Sequence, residues 1–303
     1  MKFIESRKKF YALSLIVIII GLLAMGINGA RGKGFFEKDI EFTGGSYIQF
    51  DLEKPLTNEI KTELAKIATD VTGDANPRIT TADKTGVIIT MQRTENAKRI
   101  ELYNTIKEKY NLKADVPLAH EDFSATISDE IKWGAIKAVI VGVILILIYI
   151  TFRFKDYKFG VSAVMALVHD VLIMLTVYAL FRIPLNNSFI AAMLTIVGYS
   201  INDTIIVFDR IRENKARKGY KEGQAVPAEV VNSSINQTLS RSICTSITTL
   251  IMVVLLYILG TDSVKEFALP LIVGVAAGTY SSIFVASPLW FDLSRKGKKA
   301  TAK

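Results

Sequence analysis

The sequence predicts an α-helical polytopic membrane protein with six transmembrane helices and one α+β, partly ferredoxin-like outer domain. Three observations carry this reading. Half of the 303 residues are hydrophobic and the mean hydropathy is +0.33, too apolar for a purely soluble chain. Uncharged runs at 11–28, 242–261 and 267–291 reach or approach the roughly 18 residues needed to cross a bilayer. Lys and Arg also gather in alternate connections, as short cytoplasmic loops do.

In chain order, Lys2, Arg7, Lys8 and Lys9 form a basic, cytoplasmic N-terminus over 1–9. The apolar run that follows resembles a signal peptide but lacks a small-residue cleavage site, so residues 10–29 read as a retained first span. Residues 30–130 are polar and form the domain outside the membrane. Five further spans are expected at 133–152, 159–181, 187–208, 240–261 and 267–291, within a membrane region of 131–292. A basic cytoplasmic tail then occupies 293–303. Positive clusters follow the second, fourth and sixth spans, whereas the opposite loops hold only Arg182 and Lys265. Both termini are therefore expected in the cytoplasm.

Charge follows the same division. Residues 29–130 carry a net −4 and the remainder +12, giving the overall +8. The basic balance is thus one of membrane orientation and contact with anionic lipid, and it removes the main support for nucleic-acid binding. The single cysteine, Cys244, lies in an apolar run, which excludes a disulfide framework.

Within the outer domain, residues 46–51 alternate as a strand, and 57–71 place Ile60, Leu64, Ile67 and Ala68 on one helical face. Two β-rich stretches, 78–81 and 86–91, flank a turn at 83–86. In 94–110, Ile100, Tyr103, Ile106 and Tyr110 recur at helical spacing. The order β-α-β-β-α is part of a ferredoxin-like split unit. His120 reads as a solvated loop residue, since one imidazole needs more ligands than its neighbours supply for zinc.

The informative residues are ionisable groups inside the spans. Asp203 lies five residues before the polar end of the fourth span, ~8 Å inside it. A charged carboxylate there costs ~2.5–3.5 kcal/mol unless paired or hydrated, which is why such groups mark ion pathways. Arg241 opens the fifth span from the same side and is the expected counter-charge, the competing reading being a snorkelling arginine and a carboxyl that only joins helices. Asp170, beside His169 in mid-span, is either a hydrogen-bonded structural group or part of a proton route. Hydroxyl and small residues (Thr245, Thr248, Thr249, Gly274, Gly278, Ser281, Ser282) could bridge the depth between the two carboxyls.

Asp203 and Arg241 sit in segments that resemble the SecD/SecF family of bacterial protein-export subunits, within the RND superfamily. The resembling segments are 39–45, with Asp39, Phe42, Thr43, Gly44 and Gly45; 198–214, with Gly198 and Asn202; and 232–241, with Asn236 and Gln237. Glu41 stands where the family more often has Asp. The resemblance implies half of an RND-type bundle in the bacterial cytoplasmic (inner) membrane. It implies pairing with SecD, association with the SecYEG translocon, with YajC and YidC as further partners, and action on a preprotein substrate. It also implies coupling to a proton or sodium gradient without cofactor or covalent chemistry, with the family's membrane carboxylate and arginine falling on Asp203 and Arg241. The alternatives are a small-molecule or lipid exporter half of the same superfamily and a non-coupling scaffold of the translocon. An intramembrane hydrolase is disfavoured, because no nucleophile lies at an evident spacing from a base.

Overall fold

The computed structural model describes residues 2–82, 85–123, 125–221 and 224–300. Part of the hairpin turn expected at 83–86 and the end of the basic tail lie outside the described residues. Among the described residues, six helices are long and apolar enough to span a membrane: α1 (Phe3–Ala30), α5 (Ala125–Phe154), α6 (Tyr157–Phe181), α7 (Asn187–Arg217), α8 (Ala228–Leu259), and α9 (Asp262–Ser281), which runs through a π turn (Ser282–Ala286) into α10 (Ser287–Ala300). Between α1 and α5 lie α2 (Ile40–Thr43), β1 (Gly45–Asp51), α3 (Asn58–Thr72), β2 (Arg78–Thr81), β3 (Gly86–Met91), α4 (Asn96–Tyr110) and β4 (Ala119–Phe123).

Several helices overrun the apolar stretches that predict them. The fourth and fifth were expected to end near 208 and begin near 240, yet α7 continues to Arg217 and α8 starts at Ala228. Paired polar side chains hold these extensions together. Asn214 donates to Ser234 at 2.9 Å and to Gln237 at 2.8 Å, and Arg210 donates to Gln237 at 2.6 Å. Likewise α1 begins at Phe3 rather than near residue 10, because Phe3 and Ile4 are buried and the Ile4 amide reaches the Asn232 side chain at 3.0 Å. Starts are set by side-chain caps where the sequence offers them: Asn186 accepts from the Phe189 amide before α7, and Asp156 accepts from the Lys158 amide before α6.

Helices α6, α7 and α9 form the interior of the bundle, while α1, α5 and α8 turn large apolar side chains outward, among them Leu23, Leu145 and Met252. At the basic end, Phe154, Phe159, Phe208 and Trp290 form an aromatic core, with Phe159 stacked on Trp290 at 4.5 Å. At the other end, Tyr178, Phe189, Ile196 and Val275 close the bundle.

The outer domain completes the expected order with a fourth strand, and its sheet runs β2-β3-β1-β4, antiparallel throughout. β3 lies between β1 and β2, the split arrangement compatible with a ferredoxin-like unit. His120, expected in a loop, is in β4 opposite Ile48. Leu64, Ile67 and Ala68 of α3 are buried as their spacing predicts. On α4, however, Ile100 is exposed and Leu102, Tyr103 and Ile106 face the sheet. The rotation brings Arg99 inward to pair with Asp122 at 2.8 Å, an ion pair that apolar periodicity does not register.

Candidate functional site in the membrane seam

Two buried carboxyl groups lie where α6, α7 and α9 meet. Asp203 on α7 accepts from Ser242 of α8 at 2.5 Å and from Ser282, the first residue of the π turn. Asp170 on α6 accepts from Ser200 of α7 at 2.6 Å and from Ser281 of α9 at 2.9 Å. The His169 ring joins the second group, with Nδ1 3.0 Å from Asp170 and Nε2 3.1 Å from Ser14 of α1. Tyr280 stacks on that imidazole. The carboxyls are thus served by hydroxyls drawn from α7, α8, and α9 with its π turn.

Small residues make these approaches feasible. A Cβ placed on Gly278 would lie 2.9 Å from the Ser200 Cβ, and one on Gly274 would lie 2.4 Å from Ile196. The four-residue spacing of Gly274 and Gly278 therefore forms the close α7–α9 seam. Serines 281 and 282 reach different carboxyls because adjacent helical residues point ~100° apart.

The expected counter-charge is not in this cluster. Arg241 forms no ion pair among the described residues; it is exposed and lines a cavity of about 770 Å³ with Arg153, Asp209, Arg210, Gln237 and Thr238. The reason is helical geometry. Its neighbour Ser242 occupies the direction toward Asp203, so Arg241 is turned away. Gly198, Asn202 and Thr245 are exposed as well, and among the described residues nothing lies within 4 Å of a Cβ placed on Gly198. Together with Arg241 they place polar and small groups on the outward faces of α7 and α8. Asn236 donates to the Asn232 carbonyl at 2.8 Å, and Gln237 braces the α7–α8 extension described above.

The motif at 39–45 lies at the opposite end and is architectural. Asp39 caps α2, accepting from the Ile40 amide at 2.6 Å, and Thr43 donates to the Asp39 carbonyl. Phe42 is buried. Gly44 has φ +77°, a region disfavoured for side-chain-bearing residues, and a Cβ on Gly45 would lie 2.7 Å from the Met91 carbonyl. This turn seats the outer domain on the bundle. Arg78 of β2 pairs with both Asp39 and Glu266 of α9, Asn186 donates to Glu266 at 2.6 Å, and Asp262 accepts from the Thr81 amide at 2.9 Å and hydroxyl at 2.5 Å. Glu41 accepts from the Asn187 amide at 2.6 Å; burial pushes its carboxyl above the usual glutamate range, against the opposing pull of that amide.

Sequence reasoning missed Ser14, Ser200 and Ser242 as partners of the carboxyls. Serines are common in apolar helices, and only the three-residue step from Ser200 to Asp203 on one helix face hinted at a polar stripe. It also passed over the Arg78 clasp, whose partners lie 39 and 188 positions away.

The family described as "Protein export membrane protein SecD/SecF, C-terminal" matches residues 105–296. The chain is 36% identical to the protein translocase subunit SecF of Petrotoga mobilis, covering 98% of this chain and 97% of that protein. It is 40% identical to the protein translocase subunit SecDF of Thermus thermophilus, covering 90% of this chain and 36% of that one. Among solved structures, a crystal structure of Thermus SecDF, described as a translocon-associated membrane protein, superposes with a TM-score of 0.76 at 36% identity. That match covers 98% of this chain and 39% of the SecDF chain.

Proposed function

The chain belongs to the SecD/SecF family of protein-export membrane proteins, and from that premise we propose that it converts a transmembrane ion gradient, protons or sodium, into work on a preprotein, with Asp203 as the protonation switch. The observation that carries the reading is the buried carboxyl served by neutral hydroxyls. A serine can donate to a carboxylate and accept from a carboxylic acid, so Asp203 can exist in either state without an orphaned partner. Loss of charge would weaken two charge-assisted hydrogen bonds, each worth about 1.5–3 kcal/mol. That is enough to bias a two-state packing of α7 against α8 and α9.

The outer domain would follow such a change. It is anchored to Asn187 at the start of α7 and to Asp262 and Glu266 at the start of α9, the two helices whose other contacts surround the carboxyls. A sliding of α7 against α9 would therefore alter the seat of the outer domain.

A SecD-like half is the proposed partner for the outward faces of α7 and α8, where Arg241 would find its partner or counter-ion across the interface. The fused SecDF relatives, which carry both halves in one chain by name, support this arrangement. SecYEG is the proposed channel and the bacterial cytoplasmic membrane the proposed site, with the basic ends of the spans in the cytoplasm.

The test is export into membrane vesicles carrying this protein with its SecD-like partner, with and without an imposed gradient. Asp203→Asn is expected to abolish the gradient-dependent increment while abundance and partner recovery persist. Normal gradient stimulation in that variant would place the switch elsewhere, with Asp170 the next residue to examine. Joint neutralisation of Asp203 and Arg241 without loss of export would favour the scaffold.

A further inference from the structure

The reading of Asp203 as the switch leaves unexplained a second carboxyl, buried deeper and held by its own hydroxyls. We propose that Ser281 and Ser282 are positioning residues that couple Asp170 to Asp203, so that the two carboxyls act as one proton-sharing pair. This inference rests on the proposed role of Asp203.

The link runs through one carbonyl. Ser282 reaches Asp203 and also lies 2.9 Å from the Gly278 carbonyl, while Ser281 reaches Asp170 and lies 3.2 Å from the same carbonyl. The Ser282 amide already donates to that oxygen. Each hydroxyl has one proton to give, and the carbonyl has two lone pairs for three donors.

A proton arriving on Asp203 Oδ2, the oxygen that faces Ser282, makes that carboxyl a donor to the Ser282 hydroxyl oxygen. The Ser282 proton must then turn to the carbonyl of Gly278 or of Thr279, the latter 3.2 Å away. With Gly278 taken by Ser282, Ser281 is driven toward Asp170 and favours its charged form. The reverse sequence holds when the proton sits on Asp170. Repulsion between the two carboxylates acts in the same direction, so the pair holds one proton more readily than two or none.

The π turn belongs to this device. Such turns recur at functional sites, and here the wider turn begins at Ser282, whose carbonyl receives the Ser287 hydroxyl at 3.0 Å. Gly278 is also the residue against which Ser200, the other donor to Asp170, is packed. The ionisable groups around Asp170 are His169 on its own helix, Tyr280 on α9 and Asp203 on α7, with Ser14 from α1. Those around Asp203 are Asp170, and Arg241 on α8 turned outward, with Ser242 and Ser282 as direct partners.

The experiment is the pH profile of gradient-driven export by the full protein with its SecD-like partner. Asp170→Asn removes a like charge and is expected to move the midpoint to lower pH, by roughly a threefold or greater change in proton concentration. In a Ser281→Ala, Ser282→Ala background the same substitution is expected to move it by clearly less, and Ser281→Thr with Ser282→Thr should restore the full shift. An unmoved midpoint in Asp170→Asn, or an equal shift in the alanine background, overturns the coupling. If Asp170→Asn fails to accumulate, Ser281→Ala alone is read instead: a displaced midpoint supports the link and an unchanged one refutes it. Asp203→Asn is the control that separates the two claims. If it leaves the pH profile intact, the switch itself is wrong; if it flattens the profile while Asp170→Asn does nothing, only the coupling fails.

Discussion

The two ends of the α7–α9 seam hold carboxylates in opposite ways. At the outer end, Arg78 lies between Asp39 and Glu266, and Arg182 pairs with Glu37. At the inner end, Asp170 and Asp203 meet hydroxyls. A guanidinium is always charged and only donates, so the outer pairs fit one charge state. A hydroxyl both donates and accepts, so the inner groups tolerate two. The difference sets a charged clasp apart from the region where the proposed switch lies, with the same two helices joining them.

The largest expected effect comes from breaking the seam that both regions share. Gly278→Val would drive a branched side chain into Ser200, and overpacking of this kind costs about 1–3 kcal/mol. The variant is expected to lower the melting temperature and membrane abundance together, and to disturb labelling of residues at both ends. Normal abundance with native helix spacing would show that the seam yields more readily than its geometry implies.

A smaller effect is expected from loosening the clasp alone. Arg78→Gln removes a partly exposed ion-pair network, a loss of ~1 kcal/mol. Amide exchange should rise at β2 and at the start of α9, while the carboxyl cluster around Asp203 keeps its protection. Equal deprotection at both ends would erase the distinction between them.

The smallest effect sharpens the comparison through pH. Glu41 has a folded pKa raised by burial above its ordinary 4.5, so the native state binds its proton more tightly than the unfolded chain does. The corresponding stabilisation is full below that ordinary value and is lost as pH rises through the raised one. Glu41→Gln is expected to flatten the pH dependence of outer-domain stability in this window, measured by thermal melts between mildly acidic and neutral pH. An unchanged slope would mean that Glu41 does not report on the clasp.

These contrasts also explain what the sequence could convey. Spans were legible because a bilayer imposes a length on contiguous apolar residues. Asp203 and Asp170 were legible because charge in an apolar run is conspicuous. The outward turn of Arg241 was not, since depth along a helix is read from residue number but azimuth depends on which neighbour takes the inward position, here Ser242. The helical extensions at 209–217 and 228–239 were equally hidden, because Asn214, Ser234 and Gln237 look like loop residues until they face one another. In α4, apolar spacing favoured Ile100, whereas the Arg99–Asp122 pair set the rotation.

The proposal that the seam carboxyls, and not the Arg78 ion pairs, exchange the coupling proton is tested most directly by infrared difference spectroscopy of the reconstituted protein with its SecD-like partner across a pH step. Protonated-carboxyl absorption is expected to appear on acidification, with one component lost in Asp203→Asn and none lost in Arg78→Gln. A band that survives intact in Asp203→Asn, or its absence from the wild-type protein at every pH at which export is gradient-driven, would contradict the account.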